Sequence, residues 1–199
     1  MRKKVLFLLC LFSGLIAFGQ EPAAPTQEWC EWAFWQIPDH KVLSEVDSTA
    51  FSADLFCLLK EMDRLSTWDE ETYQSKPCAD DYLVYWYDGM EGSVFDGGRT
   101  TLSFDYTPKS SWGGDVTVTI NHPDYLNNDG TRVSKHTMSI IFEHDAWRIN
   151  DWDAGKWMDA AIVFKHYQEH HGNEVSIDSR ALEIIHPYLE LHPIPVFFE

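Results

Sequence analysis

The stretch SKHTMSIIFEHDAWRINDWD, Ser134–Asp153, decides the fold because it carries two alternating runs joined by a short polar turn. In the first run, apolar residues at every second position share one strand face with His136. The second run, Ala146–Asp151, alternates in the same way after the turn Glu143-His144-Asp145. This pattern predicts an antiparallel β-hairpin.

Further strands are predicted upstream of this hairpin. Asp115–Asn121 alternates between β-branched apolar residues and polar ones, and the turn sequence Asn127-Asn128-Asp129-Gly130 joins it to the hairpin. Thr101–Tyr106 predicts another strand, and the aromatic run Tyr82–Tyr87 predicts a short one before it. Together with the hairpin, these runs predict a mostly antiparallel sheet of four or five strands.

Helices are predicted on both sides of the strand region. Thr49–Leu65 carries one continuous apolar stripe, with Asp47 or Ser48 available as its N-cap and with Glu61 and Arg64 on its outer face. Other helical spacings occur in residues 28–35, 156–170 and 179–185. Because helices and strands come in runs rather than in strict alternation, we expect an α+β fold in which a curved antiparallel sheet packs on the N-terminal helices.

The N-terminus predicts export. Residues 1–19 combine a basic start, an apolar stretch and small residues before Gln20, as in a secretory signal peptide. We therefore expect a protein of the periplasm or cell exterior of a Gram-negative bacterium, with no membrane span after the signal is removed. The expected organisation is a linker and aromatic helical segment over 20–48, one domain over 49–171, and a C-terminal extension over 172–199 that packs on the domain or trails it.

The charge balance excludes some partners and favours others. The chain has 32 acidic and 15 basic residues, a formal net charge of −17, and loss of Arg2, Lys3 and Lys4 with the signal makes it −20. Such a field repels nucleic-acid phosphates and anionic lipid surfaces. It favours a basic protein partner, although the same charge also serves solubility alone.

The cysteines and histidines predict no cofactor. The chain has neither a Cys-x-x-Cys spacing nor a zinc-finger pattern, and an oxidising compartment instead favours a disulfide between Cys57 and Cys78. His166 and His170 are spaced i and i+4, so that both rings could face one metal ion. No third ligand shares their helix face, and histidines also suit the negative C-terminal end of a helix. We therefore expect no metal site there.

Two groups of residues are candidates for chemistry or ligand binding. If His136 faces inward, Asp88 or Asp105 would pair with it as a general acid–base dyad. The second group has flat rings with polar atoms, as in sites for small ligands or sugars: Tyr85, Trp86, Tyr87 and Trp152. Such aromatic side chains also pack ordinary sheets, which is the alternative interpretation.

Four short motifs occur in a characteristic order: Phe51-Ser52-x-x-Leu55-x-x-Leu58-Leu59, Asp80–Gly92, Val116-Thr117-Val118 and Trp147-Arg148-Ile149-Asn150-Asp151. Across residues 51–167, this order resembles a family of secreted bacterial proteins known as the domain of unknown function 3828. The resemblance implies a nuclear-transport-factor-2-like, or cystatin-like, cone and implies no catalytic residues. Asn150 stands where the family usually has aspartate, so that only Asp151 remains of that acidic pair.

These observations lead to two functional hypotheses from different classes. The first is a non-enzymatic periplasmic binding protein, of the immunity or inhibitor type, that holds a basic partner. The second is a small enzyme of the isomerase or dehydratase kind that uses a histidine–carboxylate pair in the cone pocket. A deep pocket with an inward His136 would favour the enzyme, whereas an acidic surface with exposed aromatic residues would favour the binding protein.

Overall fold

The computed structural model describes residues 21–37, 43–65, 100–124, 130–153, 155–171 and 176–193. The predicted signal peptide and the predicted strand Tyr82–Tyr87 lie outside the described residues. The described elements are α1 (Gln27–Phe34), 3-10 turns at Leu43–Glu45 and Ser48–Ala50, α2 (Ala53–Leu65), β1 (Thr101–Ser110), β2 (Gly113–Asp124), β3 (Gly130–Glu143), β4 (Ala146–Trp152), α3 (Lys156–His171) and α4 (Ser179–Leu191).

The fold is α+β, as predicted, with four described strands in one open antiparallel sheet of order β1-β2-β3-β4. Cross-strand partners lie on the same face, and one row runs through Phe104, Val118 and His136. The apolar residues of this face form one contiguous core with the helices, whereas the other face carries mainly polar side chains. An antiparallel sheet with one packed and one solvated face produces this alternation.

The β3–β4 hairpin forms where the sequence predicts it, with a shorter turn. Glu143 pairs with Ala146, so that only His144 and Asp145 form the loop, with φ values of 50° and 61°. Two successive positive φ values are those of a type I′ turn, whose twist matches that of the strands. Asn150 is an extra residue in β4, since Ser139 pairs with Asp151 and Ile140 with Ile149. Such a bulge bends a strand locally.

The start of α2 differs from the prediction. The helix begins at Ala53 rather than at Thr49, because Phe51 forms a parallel bridge with Ile149 of β4. The backbone N–H of Ser52 donates to the Ile149 carbonyl at 2.8 Å, and Oγ of Ser52 accepts from Leu55 N–H at 3.2 Å. Ser52 therefore caps α2, whereas the predicted cap Asp47 caps the preceding 3-10 turn instead.

The C-terminal extension packs on the domain through α4. Three apolar residues of α4, Ala181, Ile184 and Ile185, belong to the core. Because α4 covers α2, Glu61 is only 5% exposed, and its predicted place on the outer face is wrong. Its carboxylate accepts two hydrogen bonds from Arg64, at 2.6 and 2.8 Å, and one from the Asp178 backbone N–H at 2.8 Å. A buried carboxylate needs such partners.

Candidate functional site

A histidine–carboxylate pair lies at the end of β4, with Asp153 as the acid. Nδ1 of His136 donates to Oδ2 of Asp153 at 3.0 Å. The imidazole ring stands on the core face of β3 opposite Val118, with its centre 6.2 Å from that of the Phe34 ring. The two side chains are 34% and 44% exposed, respectively, so that solvent reaches the pair.

The Asp153 carboxylate is held in place by the backbone as well. The Thr137 N–H donates to its Oδ1 at 2.9 Å, and the Asp153 N–H returns a hydrogen bond to the Thr137 carbonyl at 2.7 Å. Burial raises the pKa of Asp153, but the hydrogen bonds from the His136 ring and from Thr137 outweigh it and leave the pKa below its ordinary value. The Asp153 carboxylate is thus ionised and orients the His136 imidazole. This arrangement suits either a general acid–base pair or a structural link between β3 and the end of β4.

The two acids predicted as partners of His136 do not occupy this position. Asp105 is exposed and lies opposite Thr117, on the sheet face that His136 does not use, so that the predicted His136–Asp105 pair is wrong. Asp88 lies outside the described residues. Counting outward from the β3–β4 turn brings Asp153 beside Thr137 and His136, so the register of the hairpin was the signal that could have identified it.

Of the four aromatic residues predicted to bind a ligand, the structure describes Trp152. Trp152 is 2% exposed in the core, with Nζ of Lys156 5.3 Å from the ring centre. This burial is that of a core residue rather than of an open ligand platform. The remaining three aromatic candidates, Tyr85, Trp86 and Tyr87, lie outside the described residues.

The predicted disulfide and the alternative metal site each involve a residue whose side chain lies outside the described part of the chain. Cys57 has a half-buried thiol whose pKa is raised by burial, and its pairing with Cys78 stays a prediction. Cys78 itself lies outside the described residues. His166 is half-buried on α3, and the side chain of His170 is not described. Among the described side chains, no group of three or more His, Cys, Asp or Glu residues could hold a metal ion.

A cluster of aromatic residues, here called the aromatic turn end, occupies the sheet end that carries the β1–β2 and β3–β4 turns. Its members are Tyr106, Trp112, Phe142 and Trp147. Ring centres are 5.6 Å apart for Tyr106 and Trp147, 5.4 Å for Phe142 and Trp147, and 6.0 Å for Trp112 and Phe142. These are the separations of edge-to-face aromatic contacts. Trp112 remains 47% exposed.

Gly114 creates the space for this cluster. A Cβ at Gly114 would lie 2.4 Å from the Thr107 carbonyl oxygen and 2.8 Å from Cε2 of Tyr106. The Tyr106 ring thus lies across the bare backbone of β2 and extends towards Trp147. Residues 107–114 lie between the predicted strands Thr101–Tyr106 and Asp115–Asn121, so that no prediction includes this surface. Trp112 meets Phe142 only once β2 and β3 are paired, so that no local sequence pattern identifies it.

The residues before α1 run past the aromatic turn end. Nε1–H of Trp147 donates to the Ala23 carbonyl at 2.9 Å, and Oγ of Ser111 donates to Oε1 of Glu21 at 2.6 Å. The second bond holds a carboxylate beside the turn that carries Trp112. Asp145, exposed in the β3–β4 turn, adds a second carboxylate at the same end.

Asp151 connects the sheet to α3. Its Oδ1 accepts from the backbone N–H groups of Trp152 and Lys156, at 2.9 and 2.8 Å. Burial raises the pKa of Asp151 despite these hydrogen bonds. Lys156 pairs with Asp159 at 2.9 Å on the same turn of the helix. The Asp151 carboxylate and the Lys156–Asp159 pair therefore stabilise the N-terminus of α3.

Within the described parts of the chain, no helix is both long enough and apolar enough to cross a membrane. Comparisons with protein-family models, with curated proteins and with solved structures find no match to this chain. The observations that bear on function are therefore the charge of the chain, the aromatic turn end and the His136–Asp153 pair.

Proposed function

We propose that the mature chain is an exported, non-enzymatic binding protein that holds a basic protein partner, in the manner of an immunity or inhibitor protein. The observation that carries the proposal is the excess of acid, 32 acidic against 15 basic residues. Even if every lysine and arginine paired with one carboxylate, 17 carboxylates would have no such partner. A field of this size attracts basic proteins and accelerates their association.

The ion pairs of the structure reinforce this point. Five of the described basic residues are already engaged with carboxylates: Arg64, Lys109, Lys156, Lys165 and Arg180. Exposed acids such as Glu28 and Glu31 on α1 face solvent on an otherwise polar helix surface. Five of the nine described basic residues are thus held in local pairs, and the excess negative charge of the chain is left to act on the surroundings.

Export to the periplasm or cell exterior, membership of the domain of unknown function 3828 and the cone-shaped fold are part of the same proposal. The signal-like residues 1–19 support export, and the order of the four motifs supports the family. The cone draws support from the helices that pack on one sheet face and from the bulge at Asn150, since bulges bend strands. Fold alone assigns no activity, so the binding function depends on charge and surface.

Affinity capture from a cell-envelope extract with residues 20–199 as bait tests this function. We expect one basic protein to be retained, with an affinity that weakens as salt rises from roughly 50 to roughly 300 mM, because salt screens exposed charges. A bait with four exposed acids neutralised should associate more slowly: Glu28→Gln, Glu31→Gln, Glu45→Gln and Glu190→Gln. Retention of no protein, together with a small molecule seen bound to the bait by native mass spectrometry, would overturn the proposal.

A second candidate function, a small isomerase- or dehydratase-like enzyme, is favoured by one observation, the His136–Asp153 contact of 3.0 Å. An aspartate that orients a solvent-accessible imidazole is the arrangement a general base requires. Native mass spectrometry of the wild type and of Asp153→Asn tests it. The enzyme candidate predicts a bound small molecule that is retained by the wild type and lost, or held more weakly, by the variant. Equal retention by both proteins, or none by either, counts against it.

A further inference from the structure

We propose that the aromatic turn end is the surface on which the basic partner docks, with a lysine or arginine side chain of the partner against the ring of Trp112. The inference rests on the proposed function and adds to it a site and a mode of recognition. It assigns to Trp112 the central contact and to the carboxylates of Glu21 and Asp145 the surrounding charge.

Exposure singles out Trp112. Among the described residues, the exposed large hydrophobic side chains are Trp112, Val133 and Leu191, and Trp112 is the aromatic one. The face of an indole ring attracts a lysine or arginine cation more strongly than other aromatic rings do. Tryptophan is also among the side chains that dominate the energetics of protein interfaces.

The neighbouring contacts hold Trp112 in place before any partner arrives. The Phe142 N–H donates to the Trp112 carbonyl at 2.7 Å, and the Phe142 ring packs against the indole with centres 6.0 Å apart. The Phe142 ring in turn packs edge-to-face against Trp147, whose Nε1–H donates a hydrogen bond to the Ala23 carbonyl. A side chain already ordered in the free protein loses little conformational entropy when it is bound.

The local charge fits a cation. The Glu21 carboxylate is held by Ser111, the neighbour of Trp112, and Asp145 is exposed in the adjacent turn. The lysine of this hairpin, Lys109, is paired with Asp115 at 2.6 Å, which offsets its charge. The carboxylates therefore leave a negative potential at the ring, and the net charge of −17 extends it over longer distances.

Isothermal titration with a heptaarginine peptide, and with a heptaserine peptide as an uncharged probe, tests the assignment. We expect heptaarginine to bind the mature chain, and we expect Trp112→Leu, which keeps an apolar side chain without the ring, to weaken its Kd about three- to fivefold. Glu21→Gln should weaken it about twofold. Two matched controls should leave the Kd within error: Leu191→Ala, which alters another exposed apolar side chain, and Glu183→Gln, which removes the same charge from α4.

The outcomes separate the docking surface from the function itself. If the wild type captures a basic envelope protein and Trp112→Leu captures it with the same Kd, the docking surface is overturned and the proposed function stands. If heptaserine binds as well as heptaarginine, recognition of a cation is overturned. If no basic protein is captured by the wild type, the proposed function fails, and the docking surface fails with it.

Discussion

Replacement of Gly114 by alanine tests how the aromatic turn end is built. The added Cβ would lie 2.4 Å from the Thr107 carbonyl oxygen and 2.8 Å from Cε2 of Tyr106. The Tyr106 ring can rotate away, but the carbonyl oxygen is part of the β1–β2 ladder and moves only if the hairpin distorts. Overpacking of this kind costs roughly 1–3 kcal/mol, and we expect about 3 kcal/mol because one of the clashing atoms belongs to the backbone.

Two other glycines supply graded controls. At Gly113, a Cβ would lie 2.9 Å from the Ile140 carbonyl oxygen, a milder clash for which we expect about 1 kcal/mol. At Gly155, the nearest atoms would lie at 3.7 and 3.8 Å, which is ordinary contact. Gly155→Ala should therefore be neutral, or stabilising by about 0.5 kcal/mol through a less flexible unfolded chain.

Urea-induced unfolding, followed by near- and far-ultraviolet circular dichroism, measures the free energy of unfolding for the three variants. The expected order of stability is Gly155→Ala, then Gly113→Ala, then Gly114→Ala. Near-ultraviolet signals should change most in Gly114→Ala, because Tyr106 then loses its edge-to-face contact with Trp147. A Gly114→Ala protein whose free energy of unfolding is within about 0.5 kcal/mol of the wild type would refute the close approach of Thr107 and Tyr106 to Gly114.

Three further predictions concern ionisable groups. Glu61→Gln should lower the free energy of unfolding by about 2 kcal/mol at neutral pH, since the Glu61 carboxylate accepts hydrogen bonds from Arg64 and from the Asp178 N–H. Because the pKa of Glu61 is lowered in the folded protein, the stability advantage of the wild type should fade as pH falls through that folded pKa, which lies below the ordinary value of 4.5. An unchanged difference at low pH in urea unfolding would contradict this. Asp151→Asn should become more stable relative to the wild type as pH rises above 3.8, the ordinary pKa of an aspartate. Because the folded pKa of Asp151 is raised, the stability that its protonated carboxyl contributes is full below pH 3.8 and is lost as pH rises through the folded pKa. Parallel pH profiles of the free energy of unfolding would refute the shift. In His136→Gln, the pKa of Asp153 should return towards its ordinary value, which carboxyl NMR titration measures; an unchanged pKa would show that the ring does not stabilise the carboxylate.

The sequence predicts the hairpin of β3 and β4 well, because apolar alternation and a polar turn are local signals. The start of α2 is not local. Phe51 continues the helical stripe in sequence, but its backbone pairs with Ile149 about a hundred residues away, and the helix has to begin after Ser52. Glu61 looks like a surface residue for a similar reason, because α4 covers it only in the folded chain.

The candidate site shows the same limit. His136 and a carboxylate partner are predicted from the sequence, but the identity of the acid depends on strand register. Asp105 is on the wrong sheet face, whereas Asp153 is brought to Thr137 by the pairing of β3 with β4. Trp112 is missed because its exposure and its contact with Phe142 exist only after β2 and β3 pair.

Hydrogen exchange of the mature chain, alone and with the protein that it captures from the cell envelope, shows directly where the partner docks. We expect the captured protein to be basic and to slow amide exchange in residues 110–113 and 143–147, the two turns around Trp112. The same slowing should be reduced in Trp112→Leu at equal concentrations. Protection centred on His136 and Asp153, with both turns unchanged, would contradict docking at the aromatic turn end.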